Sequence, residues 1–306
     1  MTEHTAETEA AAERCAAAGE MPAHGRAAAP VRPCAIRYDN VAFSYKPGAP
    51  FIEGLSACIE AGAVTSIIGP NGCGKSTLVK LASGLLRPAA GRVEVKGRDT
   101  GCLTARERAR ELAVLAQSSR IPPMTVEGLV ALGRHPHTGM GGRLGPHDRE
   151  RVEAALERAG VARFRDHDVR QLSGGERQRA FVAMTLAQDT DLIVLDEPTT
   201  YLDINACHDL MALVRDLNRR DGKTVAMVIH DLDLALRYSD RLVVMERGRV
   251  TAEGPAEEVL AARAIEHAFS MDVCPHERRR PDGGADRGYV LYPRGNMPQR
   301  ADHRHG

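Results

Sequence analysis

Gly69-Pro70-Asn71-Gly72-Cys73-Gly74-Lys75-Ser76-Thr77 fits the spacing G-x-x-x-x-G-K-[ST], a loop whose backbone N–H groups wrap phosphates. The short apolar run Val64 to Ile68 leads into it and the helix-compatible stretch Lys75 to Ser83 follows. Strand, glycine loop and helix in that order are the context such a loop requires. An ordinary glycine turn would account for neither Lys75 nor the strand. Gly69, Gly72 and Gly74 let the backbone curl without Cβ clashes. Lys75 supplies a point charge for the β- and γ-phosphates, Ser76 a hydroxyl for Mg²⁺, and Thr77 a hydroxyl for a neighbouring phosphate. The start of the helix adds its positive dipole end.

Two further segments narrow the reading. Leu192-Ile193-Val194-Leu195-Asp196-Glu197 is an apolar run ending in two carboxylates, as Mg²⁺-dependent hydrolysis of a triphosphate needs, with Asp196 placed to hold the metal. Leu172-Ser173-Gly174-Gly175-Glu176-Arg177-Gln178-Arg179 is a Ser-Gly-Gly turn opening a helix, a second anion site far from the first in sequence. One nucleotide has no obvious use for two phosphate loops so separated. Two copies of the chain sharing nucleotides across an interface explain both.

With these three motifs in fixed order, the chain resembles the ATP-binding subunits of ABC transporters over roughly Ala35 to Gly295. The resemblance implies ATP and Mg²⁺ as cofactors, with Ser76, Gln117 and Asp196 at the metal. It implies that Glu197 activates the attacking water, that His230 contacts the γ-phosphate, and that Gln117 senses metal and water while facing a membrane partner. Lys75 joins these three as the catalytic set. By the same likeness Tyr45 stacks on adenine. The remaining nucleotide contacts are Gly69 to Thr77 from one copy and Ser173, Gly174, Gly175, Glu176 and Asp203 from the interface. Thr200-Tyr201-Leu202-Asp203 departs from the commoner Ser-Ala-Leu-Asp of the family. Together with Asn71-Gly72-Cys73-Gly74, Ala131-Leu132-Gly133-Arg134-His135-Pro136-His137 and Tyr289-Val290-Leu291-Tyr292-Pro293, it resembles the importers of iron–siderophore complexes, heme and cobalamin, which implies a ferric siderophore as cargo, with heme, cobalamin or a free metal ion as the alternative. The partners implied are a second ATPase subunit, integral-membrane permease subunits and, indirectly, an extracytoplasmic substrate-binding protein. The place implied is the cytoplasmic face of the membrane, peripherally. The segment Gln117 to Pro136, with Arg134 and His135 taken as exposed, is the expected docking surface for the permease.

Composition agrees with that picture. Lys plus Arg equals Asp plus Glu, 41 each, so no overall positive charge points to nucleic acid. No apolar run reaches the length of a membrane-spanning helix, and the N-terminus carries Glu3, Glu7, Glu9, Glu13 and Glu20 where a signal peptide needs positive charge and apolarity. The rival reading, a soluble ABC ATPase acting on nucleic acid or ribosomes, lacks the coiled-coil insertions or second phosphate loop such proteins carry. Seven scattered cysteines without a C-x-x-C pair predict reduced thiols and no disulfide frame, with Cys73 a small residue that fits its turn.

The fold expected is α/β: a phosphate-loop NTPase with a mainly parallel core sheet, an N-terminal antiparallel β subdomain and a helical subdomain at about residues 118–188. Residues 34–295 form the ATPase domain. Residues 1–33, rich in Ala, Glu, Gly and Pro, bury too little apolar surface to fold, and 296–306, with His303 and His305, form a flexible tail. Strands are expected over Ala35 to Tyr45, Gly54 to Ala61, Arg92 to Val95, Leu112 to Leu115, Leu192 to Leu195, Val225 to Ile229 and Leu242 to Met245, with a late hairpin pairing Val273 with Tyr289 to Tyr292. Helices are expected over Glu176 to Ala187, Ala206 to Arg219 and Leu232 to Tyr238.

Overall fold

A computed structural model of the chain describes residues 33–117, 121–139, 142–200, 202–279 and 285–294. The N-terminal extension before Pro33, Tyr201, Arg280 and the tail with His303 and His305 lie outside the described residues.

The strands are β1 (Cys34–Phe43), β2 (Ile52–Glu60), β3 (Val64–Ile68), β4 (Ala90–Val95), β5 (Arg98–Asp99), β6 (Leu112–Leu115), β7 (Leu192–Asp196), β8 (Thr224–Val228), β9 (Arg241–Glu246), β10 (Arg249–Pro255), β11 (Met271–Arg279) and β12 (Ala285–Pro293). The helices are α1 (Lys75–Ala82), α2 (Ala105–Glu111), α3 (Val126–Leu132), α4 (Pro146–Arg158), α5 (Gly174–Ala187), α6 (Ile204–Arg219), α7 (Leu232–Tyr238), α8 (Ala256–Ala261) and α9 (Ala264–Phe269).

Six strands make the central sheet in the order β10-β9-β3-β8-β7-β6, parallel except where β10 turns back on β9. Its inner strands are apolar throughout because both faces are covered. Along β8, Val225 and Met227 join the core beneath the helices, whereas Ala226 and Val228 join the core shared with the antiparallel sheet. That second sheet, in the order β2-β1-β4-β5, closes over α1, whose Leu78 and Leu81 are 1% and 0% exposed. The late hairpin forms as expected, with Val273 opposite Leu291, and Val273, Tyr289 and Leu291 pack against the main core. The short α2, α8 and α9 and strands β5 and β10 were not expected from the sequence; they are two to seven residues long, too short for periodicity to show.

The cysteine expectation is corrected. Cys34 and Cys58 form a disulfide across β1 and β2, with Cα atoms 5.6 Å apart. Twenty-four residues separate them in sequence, and only the antiparallel pairing, shifted between Cys34 and Ile36, brings them together. Cys73, Cys102 and Cys207 are thiols, as expected.

The helical layer is fixed to the core through Ala131 to His137. Gly133 lies so close to α5 that a methyl group there would stand 2.1 Å from the Met184 carbonyl oxygen. Arg134, expected to be exposed, is 2% exposed. Its Nε donates to Asp148 Oδ1 of α4 at 2.9 Å and its Nη1 to the Ala187 carbonyl at the end of α5 at 2.8 Å. His137 Nε2 lies 2.9 Å from the Gln188 carbonyl, and Arg106 and Arg110 of α2 both donate to the Pro136 carbonyl at 2.9 Å. The sequence hides this because arginine is seldom buried without a partner, and its partners lie on two other helices. His135 is exposed, as expected. Arg134→Ala removes a buried guanidinium and its hydrogen bonds to Asp148 and the Ala187 carbonyl, so it should lower unfolding free energy by about 1–3 kcal/mol, read as a shifted urea midpoint. An unchanged midpoint would contradict the clamp.

Candidate active site

The phosphate loop is placed by close backbone contact. β3 runs parallel between β8 and β9, and Gly69, at its end, lies so near β9 that a methyl group would stand 2.2 Å from the Met245 carbonyl oxygen and 2.7 Å from Cys73 Sγ. The turn between β9 and β10 braces the loop again, with the Gly248 N–H donating to the Cys73 carbonyl at 2.9 Å. Burial pushes the Cys73 thiol up, only partly opposed by Lys75, so it stays protonated as a small filling residue.

Lys75 is 5% exposed, and its Nζ donates to the Gly69 and Pro70 carbonyls at 2.7 and 3.0 Å. Ser76 Oγ donates to Asp196 Oδ1 at 3.1 Å. Asp196 is 3% exposed; burial, with the neighbouring Glu197 charge, raises its pKa against the Ser76 hydrogen bond. A carboxylate so placed is a natural partner for a cation. The hydroxyl of Ser76, the carboxylate of Asp196 and the amide of Gln117 are oxygen donors that suit Mg²⁺. Among the described residues no three His, Cys, Asp or Glu gather as a metal cage.

Glu197 is the centre of the polar network. Gln117 Nε2 donates to Glu197 Oε2 at 2.6 Å, Thr200 Oγ1 to the same oxygen at 3.3 Å, and His230 Nε2 lies 2.5 Å from Oε1. Its backbone stands at φ 54°, unusual for a residue with a side chain, and its N–H donates to the Val228 carbonyl at 3.0 Å. Strain of that kind persists where surrounding structure enforces it. Burial raises the Glu197 pKa, but the contacts to His230, Gln117 and Thr200 lower it by more, so the carboxyl is ionised at neutral pH.

One cavity of about 630 Å³ is lined by Tyr45, Phe51, Asn71, Gly72, Gly74, Lys75, Ser76, Thr77, Gln117, Glu197 and His230, with Asp196 behind Ser76. Of the expected site residues, Tyr45 beyond β1, most of the phosphate loop, and Gln117, Glu197 and His230 beyond the ends of β6, β7 and β8 therefore converge, while Gly69, Pro70, Cys73 and Asp196 do not line the cavity themselves. Phe51 and Thr200 were not assigned from sequence; the aromatic at 51 and the Thr199-Thr200 pair were the visible signals.

Ser173, Gly174, Gly175, Glu176 and Asp203 do not join that cavity. The Ser-Gly-Gly turn caps α5: Ser173 Oγ accepts from the Glu176 N–H at 3.3 Å while Glu176 Oε2 accepts from the Ser173 N–H at 3.0 Å, so α5 starts at Gly174, two residues earlier than expected. Asp203 caps α6, accepting from the Ala206 N–H at 2.8 Å. The two caps are neighbours, since a methyl at Gly175 would lie 3.3 Å from Ala206 Cβ.

A parallel sheet carrying a glycine phosphate loop after one strand, and a carboxylate pair after another, defines a phosphate-loop NTPase. The family described as ABC transporter matches residues 52–200. An iron(3+)-hydroxamate import ATP-binding protein of Bacillus subtilis is 41% identical over 223 residues, 72% of this chain and 83% of that protein. A ferric enterobactin transport ATP-binding protein of Escherichia coli is 43% identical over 220 residues, 72% of this chain and 81% of that protein. Among solved structures, a dimeric ATP-binding cassette in a post-hydrolysis state with ADP and Pi has a TM-score of 0.64 at 31% identity, covering 72% of this chain and 98% of that one. The chain belongs to the ATP-binding subunits of ABC transporters and is an ATPase.

Gly69→Ala should abolish nucleotide binding, because its methyl cannot fit between Met245 and Cys73 without moving the loop. Wild-type affinity for a fluorescent ATP analogue in this variant would contradict the packing.

Proposed function

We propose that this chain is the ATP-hydrolysing subunit of an importer of ferric siderophores, working as a homodimer on membrane permease subunits fed by an extracytoplasmic binding protein. The iron(3+)-hydroxamate and ferric enterobactin relatives support the cargo. No helix among the described residues is long and apolar enough to cross a membrane, so passage of cargo falls to the permease. The observation that carries the homodimer is the separation of the Ser-Gly-Gly turn from the Lys75 cavity. A second copy placed head to tail brings that turn to the γ-phosphate.

Gly72, Gly74 and their neighbours Pro70, Asn71 and Cys73 wrap the phosphate chain with backbone N–H groups, and Lys75 leaves the Gly69 and Pro70 carbonyls for the β- and γ-phosphates. Ser76, Asp196 and Gln117 would hold Mg²⁺, which would supply charge neutralisation for the phosphates. Tyr45 offers its ring to adenine. Glu197, ionised, accepts a proton from the attacking water, and His230 and Gln117 hold its two oxygens in place. Across the interface Ser173, Gly174, Gly175 and Glu176 of the second copy close the site, with Asp203 beside them. Gln117 borders the helical layer, and His135 lies on the face offered to the permease.

Lys75→Ala should lower ATP turnover about a hundredfold or more. Glu197→Gln keeps its shape but cannot take the proton, so hydrolysis should fall about a hundredfold or more while ATP binds and traps a dimer. Only monomer on size exclusion with ATP and Mg²⁺ would contradict the shared site. The cargo is tested by uptake of a ferric siderophore, heme and cobalamin, each radiolabelled, in cells lacking the chain and cells restored with it. Restored uptake of a ferric siderophore supports the reading; restored uptake of cobalamin or heme alone overturns it.

A further inference from the structure

Tyr45 stands at the rim of the nucleotide cavity with 54% of its surface exposed, yet its ring is held on three sides. Phe43 meets it edge-on, with centroids 4.8 Å apart and planes at 89°. Phe51 meets it at 5.4 Å and 66°. Its hydroxyl lies 2.9 Å from Thr77 Oγ1, inside the phosphate loop. Phe51 also stands beside the loop, since a methyl group on Gly74 would lie 3.6 Å from Phe51 Cε1. The aromatic trio is thus tied to the phosphate cradle through the Tyr45 hydroxyl, whereas a base platform needs only a free ring face.

Each of the two hydroxyls carries one proton. Were Thr77 to donate to Tyr45, its lone pairs would face any phosphate oxygen in the cavity, and phosphate oxygens only accept. If Tyr45 donates to Thr77 Oγ1, the threonine proton is left for the phosphate, and both protons are used. Hydrogen bonds in such a chain polarise one another, and the Thr77 end of this one is 4% exposed.

We propose that Tyr45 is a positioning residue for the phosphate cradle as well as a platform for the base: its O–H donates to Thr77 Oγ1 and so aims the Thr77 proton at the phosphate chain. The inference rests on the reading of this cavity as the nucleotide site. Base recognition and phosphate recognition are then linked through one hydroxyl, and Phe43 and Phe51 keep the ring where that bond can form.

The test uses the full chain and two probes, ATP with Mg²⁺ and inorganic tripolyphosphate, which has no base to stack. Tyr45→Phe keeps the ring and removes only the hydroxyl. It should weaken both probes about threefold to tenfold, the effect of one hydrogen bond. In a Thr77→Val background the same change should have no further effect on either probe. Tripolyphosphate affinity untouched by Tyr45→Phe, or effects of the two substitutions that multiply, would overturn the link. Lys75→Ala separates this from the site reading: loss of both probes upholds the site whatever Tyr45→Phe does, and retention of both means that the cavity itself has been misassigned, which overturns the proposal with it.

Discussion

Three neighbouring strands end on one carboxylate, and the site depends on that register. β6, β7 and β8 lie side by side and parallel, with Leu115 opposite Leu195 and Asp196 opposite Val228. Gln117, Glu197 and His230 each follow the last residues of their strand by one or two positions, so parallel pairing alone brings their side chains to one edge. There they share the two oxygens of Glu197 at 2.5 and 2.6 Å. Ligand sites in open parallel sheets form outside the carboxyl ends of strands, and here hydrogen-bond register aligns the reacting groups. A slip of one residue in β7 would turn Asp196 and Glu197 to opposite faces and dismantle both the cation site and the base.

The phosphate side is organised by packing of backbone on backbone. Gly69 is pressed against the Met245 carbonyl and Gly248 holds the Cys73 carbonyl, so β3, β9 and the turn after β9 fix the loop before any ligand arrives. Charge is arranged in the same frame. Lys75 is solvated by two carbonyls in place of water, Asp196 is kept near a serine hydroxyl, and Glu197 is kept ionised by its three partners. The Glu197 carboxylate, already held by its partners, needs little reorganisation to take a proton, whereas Lys75 exchanges its two carbonyls for phosphate oxygens.

Most of the phosphate side was legible because its chemistry is local. The glycine spacing, Lys75 and the preceding strand Val64 to Ile68 sit within a dozen residues, and Asp196 and His230 could be placed because an apolar run leads straight to each. What escaped depends on contacts between distant segments. The Cys34–Cys58 bond needs the β1–β2 register, with its bulge, before the two thiols can be seen to meet. Arg134 reads as a surface charge until α4 and the end of α5 supply Asp148 and the Ala187 carbonyl. The tie from Tyr45 to Thr77 joins residues 32 apart whose hydroxyls carry no pattern in sequence.

Ser173 to Glu176 stand apart from the Lys75 cavity, and the proposed homodimer has a second copy complete the site. Mixing two inactive chains tests it most directly, one carrying Lys75→Ala and the other Ser173→Arg. In a mixed dimer one site combines both defects and the other combines the intact Lys75 loop of one chain with the intact Ser-Gly-Gly turn of its partner. The account predicts that the mixture regains ATP hydrolysis that neither variant shows alone. Activity no greater than the sum of the separate variants would mean that each chain completes its own site.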